Sequence, residues 1–284
     1  MIKKRWIAIF SVLLVIVIIV LVLRNWRHSE ELTTSKESQS VLPIKLKIGY
    51  MPIAECAHLY VGIAKKYFEQ EDIEIELYQM KGGAVILPVL QKGDLDIGFS
   101  NVVSQIILDS KLTKNDPYYL ISLIGASYER PGNSNHALLV RKDSGLSITD
   151  LGNSEIRFAI NTTHNIEELM LRRFLSIKNV YSKKLNLVCI GFPEMLSALD
   201  RGGADVVSVV EPFIEPALRD GRFSLLARQY LEVSPETLVA TYAVTKKWLD
   251  NNNDNAKRFI RAFKKADEFI KNNEVIVVIE NLNS

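Results

Sequence analysis

Cysteine and histidine are scarce: 284 residues contain two cysteines, Cys56 and Cys189, and four histidines, His28, His58, His136 and His164. The two cysteines lie far apart in the chain. A disulfide framework is therefore not expected, and the pair lacks metal-site spacing. Cys189 reads instead as the buried residue of a core strand. The scattered histidines form no dense His/Cys segment and no Ser-His-Asp order. No metal, cofactor or catalytic residue is expected. Strong charge imbalance is missing too. Residues 1–29 hold five basic side chains (Lys3, Lys4, Arg5, Arg24, Arg27) and no acid, which leaves 30 basic against 33 acidic residues in the rest. That remainder lacks the basic footprint of a nucleic-acid binder. With 48% hydrophobic and 24% charged residues the composition is that of a folded protein.

One long apolar run is present. Between Trp6 and Leu23 only Ser11 is polar, over 18 residues. A helix of that length spans about 27 Å, near the hydrocarbon thickness of a bilayer. It is apolar all round, which excludes a surface amphipathic helix. Lys3, Lys4 and Arg5 precede it, while Arg24 and Arg27 follow it, with Glu30 and Glu31 soon after. The more positive end predicts a cytoplasmic N-terminus and an extracytoplasmic body. No small-x-small cleavage site follows the run, and no lipobox cysteine occurs. Residues 1–28 are therefore expected to be an uncleaved membrane anchor. Residues 29–42, polar and rich in Ser, Thr and Glu, are expected to form a flexible tether.

The length favours two compact lobes. Residues 44–50 alternate as a strand, 59–68 show helical spacing, and 73–80 alternate again. Residues 84–93 predict a short helix with Pro88 near its start, and 94–101 a third strand. The same β-α-β-α-β order recurs later: strand 155–161, helix 167–177, strand 185–192, helix 193–201 and strand 204–212. LQKGDLDI (90–97) echoes LDRGGADV (199–206). Two such units in matching order predict an α/β protein of two similar lobes with mostly parallel sheets. Segments 136–144 and 237–247 are expected to cross between the lobes, and helix 255–272 to return to the first. Lobe one would be 43–136 plus 241–284, and lobe two 137–240.

Several segments carry a family resemblance. IGYMPIAECAHLYVGIAKKYFEQEDIEIEL (48–77), GGAVILPVLQKGDLDIGFSN (82–101), DSGLSITDLGNSEIRFAINTTHN (143–165) and VVEPFIEPALRDG (209–221) resemble, in order, motifs of one group of proteins. These are the ABC-transporter solute-binding proteins for nitrate, sulfonate, taurine, bicarbonate and thiamine precursors. The resemblance runs over about residues 44–280. It implies a type II periplasmic-binding fold, two α/β lobes joined by two crossover strands, a small-molecule solute, and an ABC permease with its ATPase as partners of a monomer. The chain departs from most of that group in lacking a cleaved signal or lipidated cysteine. It also stops soon after Val278-Ile279, so that a final helix or strand is expected to be missing.

In open α/β sheets, ligands bind beyond the carboxyl ends of strands, where helix N-termini present unpaired N–H groups. Five loops meet that description. The first runs from Tyr50 to His58 with Glu55, Cys56 and His58. Glu55-Cys56 resembles an acid-cysteine pair of the nitrate and bicarbonate relatives. His58 reads equally as ligand contact or surface cap. The second is Gly82-Gly83-Ala84, where glycine lets backbone approach closely. The third is Ser100-Asn101. In lobe two, Asn161-Thr162-Thr163-His164-Asn165 precedes a helix and is denser than N-capping requires. The fifth is Glu211, a carboxylate after an apolar strand that needs a partner, either a ligand cation or amide or an internal arginine. Capture and delivery of a solute is the first reading. A membrane-tethered ligand sensor is the second. An enzyme resembling a pyrimidine synthase is the third, disfavoured by the scarcity of His and Cys.

Overall fold

The computed structural model describes residues 43–181 and 185–273. The expected anchor (1–28), the tether (29–42) and the C-terminal end around Val278 lie outside the described residues. Among the described residues, no helix is long and apolar enough to cross a membrane.

The first lobe starts with β1 (Ile44–Tyr50), α1 (Ala57–Ala64), β2 (Ile73–Gln79), α2 (Gly83–Lys92), β3 (Ile97–Asn101), α3 (Val102–Asp109) and β4 (Leu120–Glu129). The second holds β5 (His136–Arg141), β6 (Arg157–Ile160), α4 (Ile166–Ile177), β7 (Asn186–Cys189), α5 (Phe192–Asp200), β8 (Val206–Val210), α6 (Ile214–Asp220), β9 (Phe223–Ala227) and α7 (Gln229–Val233). The chain then returns through β10 (Thr237–Thr245), α8 (Lys246–Asn251) and α9 (Asn253–Asn272) to the first lobe.

The two sheets share one topology, β2-β1-β3-β10-β4 and β7-β6-β8-β5-β9. In each, three parallel strands are followed by one antiparallel strand and an outermost fifth. The antiparallel strand is in each case the one the chain forms on arriving from the other lobe. β3 and β8 are buried along their whole length, so they read as continuous apolar runs, as strands covered on both faces do.

This topology corrects the expected crossings. Residues 136–144 and 237–247 do not span the lobes. β5 is paired on both edges by β8 and β9, and β10 by β3 and β4. A strand with both ladders filled belongs to one sheet. The lobes are instead joined by the short linkers 130–135 and 234–236, the second following directly on α7.

β4 and β9 have no counterpart in the sequence reading. Both are outermost strands with mixed burial, which leaves a weak periodic signal. The first helix ends at Ala64 rather than Phe68, because Lys66 takes the left-handed conformation at φ 59°. Pro88 lies inside α2 rather than near its start. It is exposed, so the carbonyl that loses an N–H partner there can face water. Cys189 is exposed and not a core residue, since β7 is an edge strand.

The return of the C-terminal helix has a clear physical origin. Ala256, Phe259, Ala262, Phe263 and Ala266 form a buried stripe on α9, spaced as one face of a helix. Phe259 stacks on Phe68 at 5.5 Å, and Tyr242 packs edge-on against Phe259 and Phe263 at 5.8 and 5.3 Å. Each fully buried phenylalanine is worth roughly 1.5–3 kcal/mol, so the stripe holds α9 on the first lobe.

Candidate functional site

The strand-end loops of the two lobes face each other and touch. Asn101 closes β3 and caps α3, its Oδ1 accepting from Ser104 N at 2.9 Å. The same oxygen accepts from Ile166 N at 3.2 Å, on the other lobe. Ser104 Oγ donates across to the His164 carbonyl at 3.2 Å. Asn165 caps α4 by accepting from Glu168 N at 3.0 Å, and its Nδ2 donates to Asn161 Oδ1 at 2.7 Å and Thr162 Oγ1 at 3.1 Å. The loop of lobe two is thereby tied to itself as well as to lobe one.

Glycine is required where this seam is tightest. A Cβ on Gly82 would lie 2.9 Å from Thr162 Cγ2 across the seam, and one on Gly83 would lie 2.5 Å from Ser100 Oγ within lobe one. Gly83 and Ala84 open α2 beside Ser100, as the loop reading expected. Thr162 reaches the seam through Gly82, whereas Thr163 contacts the exposed His164 ring (Nδ1 to Oγ1, 3.2 Å). His164 contributes its carbonyl rather than its imidazole, with φ at 56°.

A second contact lies around His136, the first residue of β5. His136 Nδ1 meets Glu129 Oε1 at 2.8 Å, and Nε2 meets Glu167 Oε1 at 3.2 Å and Glu55 Oε1 at 3.8 Å. Tyr230 stacks on the imidazole at 4.0 Å and donates to Glu167 at 2.9 Å. Ser127 donates to Glu55, and Ser208 to Glu167. Glu129 also accepts from Asn135 N at 2.6 Å, which staples the neck of the first linker. All four ionisable groups are at least 94% buried: Glu55 6%, Glu129 0%, His136 1% and Glu167 3% exposed.

Burial by itself would lower the His136 pKa. The Glu55 and Glu167 charges and the bonds to Glu129 and Glu167 outweigh it and hold the imidazole well above its ordinary range. Burial pushes Glu55 above the usual carboxylate range, with His136 pulling the other way. Burial would raise Glu129 too, but the bond from His136 and its charge keep it below.

The remaining expected residues sit elsewhere. Cys56 is fully buried in the first lobe beside the Tyr242 hydroxyl, and burial pushes its thiol up to about 12. His58 stacks on Phe263 at 4.7 Å and faces Asp267 at 3.3 Å, so it belongs to the contact between α1 and α9. Tyr50 packs edge-on against Tyr60 at 6.0 Å at the end of β1. Glu211 accepts from Ala54 N through its carbonyl at 2.9 Å, a further contact between the lobes. Its carboxylate is raised by burial, is attracted by Arg228, and takes a long bond of 3.4 Å from Glu215 N.

The structure thus brings Glu55, Asn101, Thr162, His164 and Glu211 together at the lobe boundary, sets Gly83 against Ser100 within lobe one, and places Cys56 and His58 within lobe one. Glu129, His136, Glu167 and Tyr230 were missed. Glu167 had a signal: it lies three residues before Met170 and seven before Phe174, on the apolar face of its helix. A carboxylate on that stripe must find a polar partner inside.

Among curated proteins, none matches this chain. Several solved structures resemble it. The alkanesulfonate-binding protein of Xanthomonas axonopodis pv. citri is 18% identical with TM-score 0.66, over 81% of this chain and 75% of that one. The periplasmic nitrate-binding protein of Synechocystis PCC 6803 is 13% identical with TM-score 0.66, over 79% and 61%. A Candida albicans protein described as having the generic periplasmic-binding-protein fold is 14% identical with TM-score 0.61, over 81% and 72%. These likenesses establish the α/β architecture of two sheet lobes. The model of the NMT1-like family matches residues 41–280, and the chain belongs to that family.

Proposed function

We propose that this protein captures a small solute between its two lobes and delivers it to an ABC permease. The solute is of the sulfonate, nitrate, taurine or pyrimidine type. The observation that carries this reading is the seam itself. The ends of parallel strands and the N-termini of α3 and α4 converge from both lobes, with Asn101 touching Ile166 and Ser104 touching His164. A ligand that contacts both lobes favours the closed arrangement by its differential affinity for it. The apolar run 6–23 would tether the binding lobes to the membrane, on its extracytoplasmic side.

The test is the heat stability of the full-length chain in detergent against nitrate, bicarbonate, taurine, alkanesulfonates and aminopyrimidines. A ligand at a hundred times its Kd stabilises by about 2.7 kcal/mol, which reads as a clear rise in Tm. Absence of any shift across the panel contradicts the proposal.

A further inference from the structure

The contacts that close the seam leave space beside it. Lys81 adjoins Gly82, which meets Thr162 across the boundary, and it lines a cleft of about 240 Å³ between the lobes. Pro52 and Met80 of lobe one and Pro193 of lobe two form the walls, with the buried side chains of Met51 and Phe192 behind them. Lys81 from lobe one and Glu194 from lobe two stand exposed at the rim. Met80, Lys81, Phe192, Pro193 and Glu194 lie outside the five loops read from the sequence.

The walls are fixed by the backbone. The Met51 carbonyl accepts from Ile53 N at 2.9 Å and from the Tyr60 hydroxyl at 3.2 Å. Met80 N donates to the Tyr50 carbonyl at 2.9 Å, which holds the end of β2 against the end of β1. On the other side, Glu194 N donates to the Gly191 carbonyl at 3.0 Å, and Pro193 locks its own φ in the first turn of α5. A preformed surface of this kind loses little freedom when a ligand covers it.

The chemistry of the lining selects the occupant. Pro52, Met80 and Pro193 offer no side-chain hydrogen-bond donor. A bare anion would find one cation, Lys81, with Glu194 opposing it from the other lobe. It would leave its water without replacement partners along the walls. A flat ring covers those walls instead, and the methionine sulfur is a favourable neighbour for it. The cleft of about 240 Å³ falls just below the roughly 300–1,000 Å³ of drug-sized pockets, so it suits a molecule of one ring.

We propose that this cleft is the solute pocket, and that its solute is a single aromatic or heterocyclic ring with an acceptor group for Lys81 and an N–H donor for Glu194. The inference rests on the capture reading above and narrows it: the seam closes the lobes, and the cleft beside it chooses what they close on. Because the ring touches walls from both lobes, its burial favours the closed arrangement.

Matched ligands test it by calorimetry on the full-length chain in detergent. The probes are 4-aminobenzenesulfonate and 4-aminopyrimidine, which carry a ring, and taurine and nitrate, which do not. Taurine keeps an ammonium and a sulfonate, so the comparison isolates the ring. The better ring probe should exceed taurine and nitrate by tenfold or more. Met80→Asp, with fold checked by circular dichroism, should lose that affinity by tenfold or more, while Met80→Leu should keep it. Methyl-13C labelling of the methionines gives a second reading without a change in the binding site: the Met80 signal, assigned from Met80→Leu, should shift when the ring probe is added. If taurine or nitrate binds as tightly as the ring probes or more so, capture stands and the ring selectivity is wrong. If a ring probe binds while the Met80 signal stays still, capture stands and the cleft is the wrong place. If neither these probes nor the panel named above bind, the capture reading itself fails and takes the cleft with it.

Discussion

At the helix N-termini the lobes meet through neutral donors and acceptors, whereas around His136 they meet through three carboxylates and an imidazole. The first contact is made of a backbone N–H, a backbone C=O, the Asn101 cap and a serine. Such bonds are exchanged readily for bonds to water, and each has a small net worth of about 0.5–1.5 kcal/mol. The second buries ionisable groups that water would otherwise solvate, one imidazole facing three carboxylates. A surface that must part and re-form suits the first kind. A fixed point beside the linkers suits the second: Glu129 and His136 flank one linker, while Gln229 and Tyr230 lie on α7, which leads into the other.

The sharpest way to break this comparison is to delete the cation. His136→Ala leaves the carboxylates facing one another and should cost about 3–5 kcal/mol, read from urea unfolding followed by circular dichroism. A loss below about 1 kcal/mol would mean that the carboxylates simply take up protons. The sign of the pH dependence follows from the same groups. His136 and Glu55 both have raised folded pKa values, so the folded state binds protons more tightly than the unfolded chain. These two groups should make stability fall as pH rises above the ordinary carboxylate range, while Glu129, held below that range, acts with the opposite sign in acid. The His136 contribution is complete below the ordinary imidazole range and is lost progressively as pH rises from there through the raised folded pKa. The His136→Ala variant should lose most of that alkaline slope.

A smaller effect is expected at the neutral contact. Asn101→Ala removes the cap of α3 and the bond to Ile166. It should cost about 1 kcal/mol and leave the alkaline slope intact. A slope altered as strongly as in His136→Ala would mean that the two contacts form one unit.

The smallest effect separates the thiols. Cys189 is exposed and Cys56 buried. A maleimide should label one thiol in the native protein and the second only after unfolding. Cys189→Ser should change stability by no more than about 0.5 kcal/mol. Rapid native labelling of Cys56 would show that the first loop opens.

Much of the architecture was legible in advance because it is local. The repeat of β-α-β-α-β units, the buried run Val206–Val210 and the amphipathic stripe of α9 are each written in the spacing of apolar residues. The caps Asn101 and Asn165 could be read in the same way, since a strand end followed by a helix start needs an acceptor for its free N–H groups. The outermost strands β4 and β9 escaped, because an edge strand is covered unevenly and its pattern blurs.

The spacing of apolar residues along the chain dictates the number of lobes and the order of elements within each. Which polar side chains meet at the lobe boundary follows from the packing of the two sheets. Glu55, Glu129, His136 and Glu167 come from a loop, a strand end, a strand start and a helix, and no spacing in the chain announces their approach. Their meeting depends on two linkers that return the chain to the same boundary. The physical reason is that hydrophobic periodicity records which face of an element is buried, whereas the pairing of buried charges depends on where two separately folded sheets are brought together.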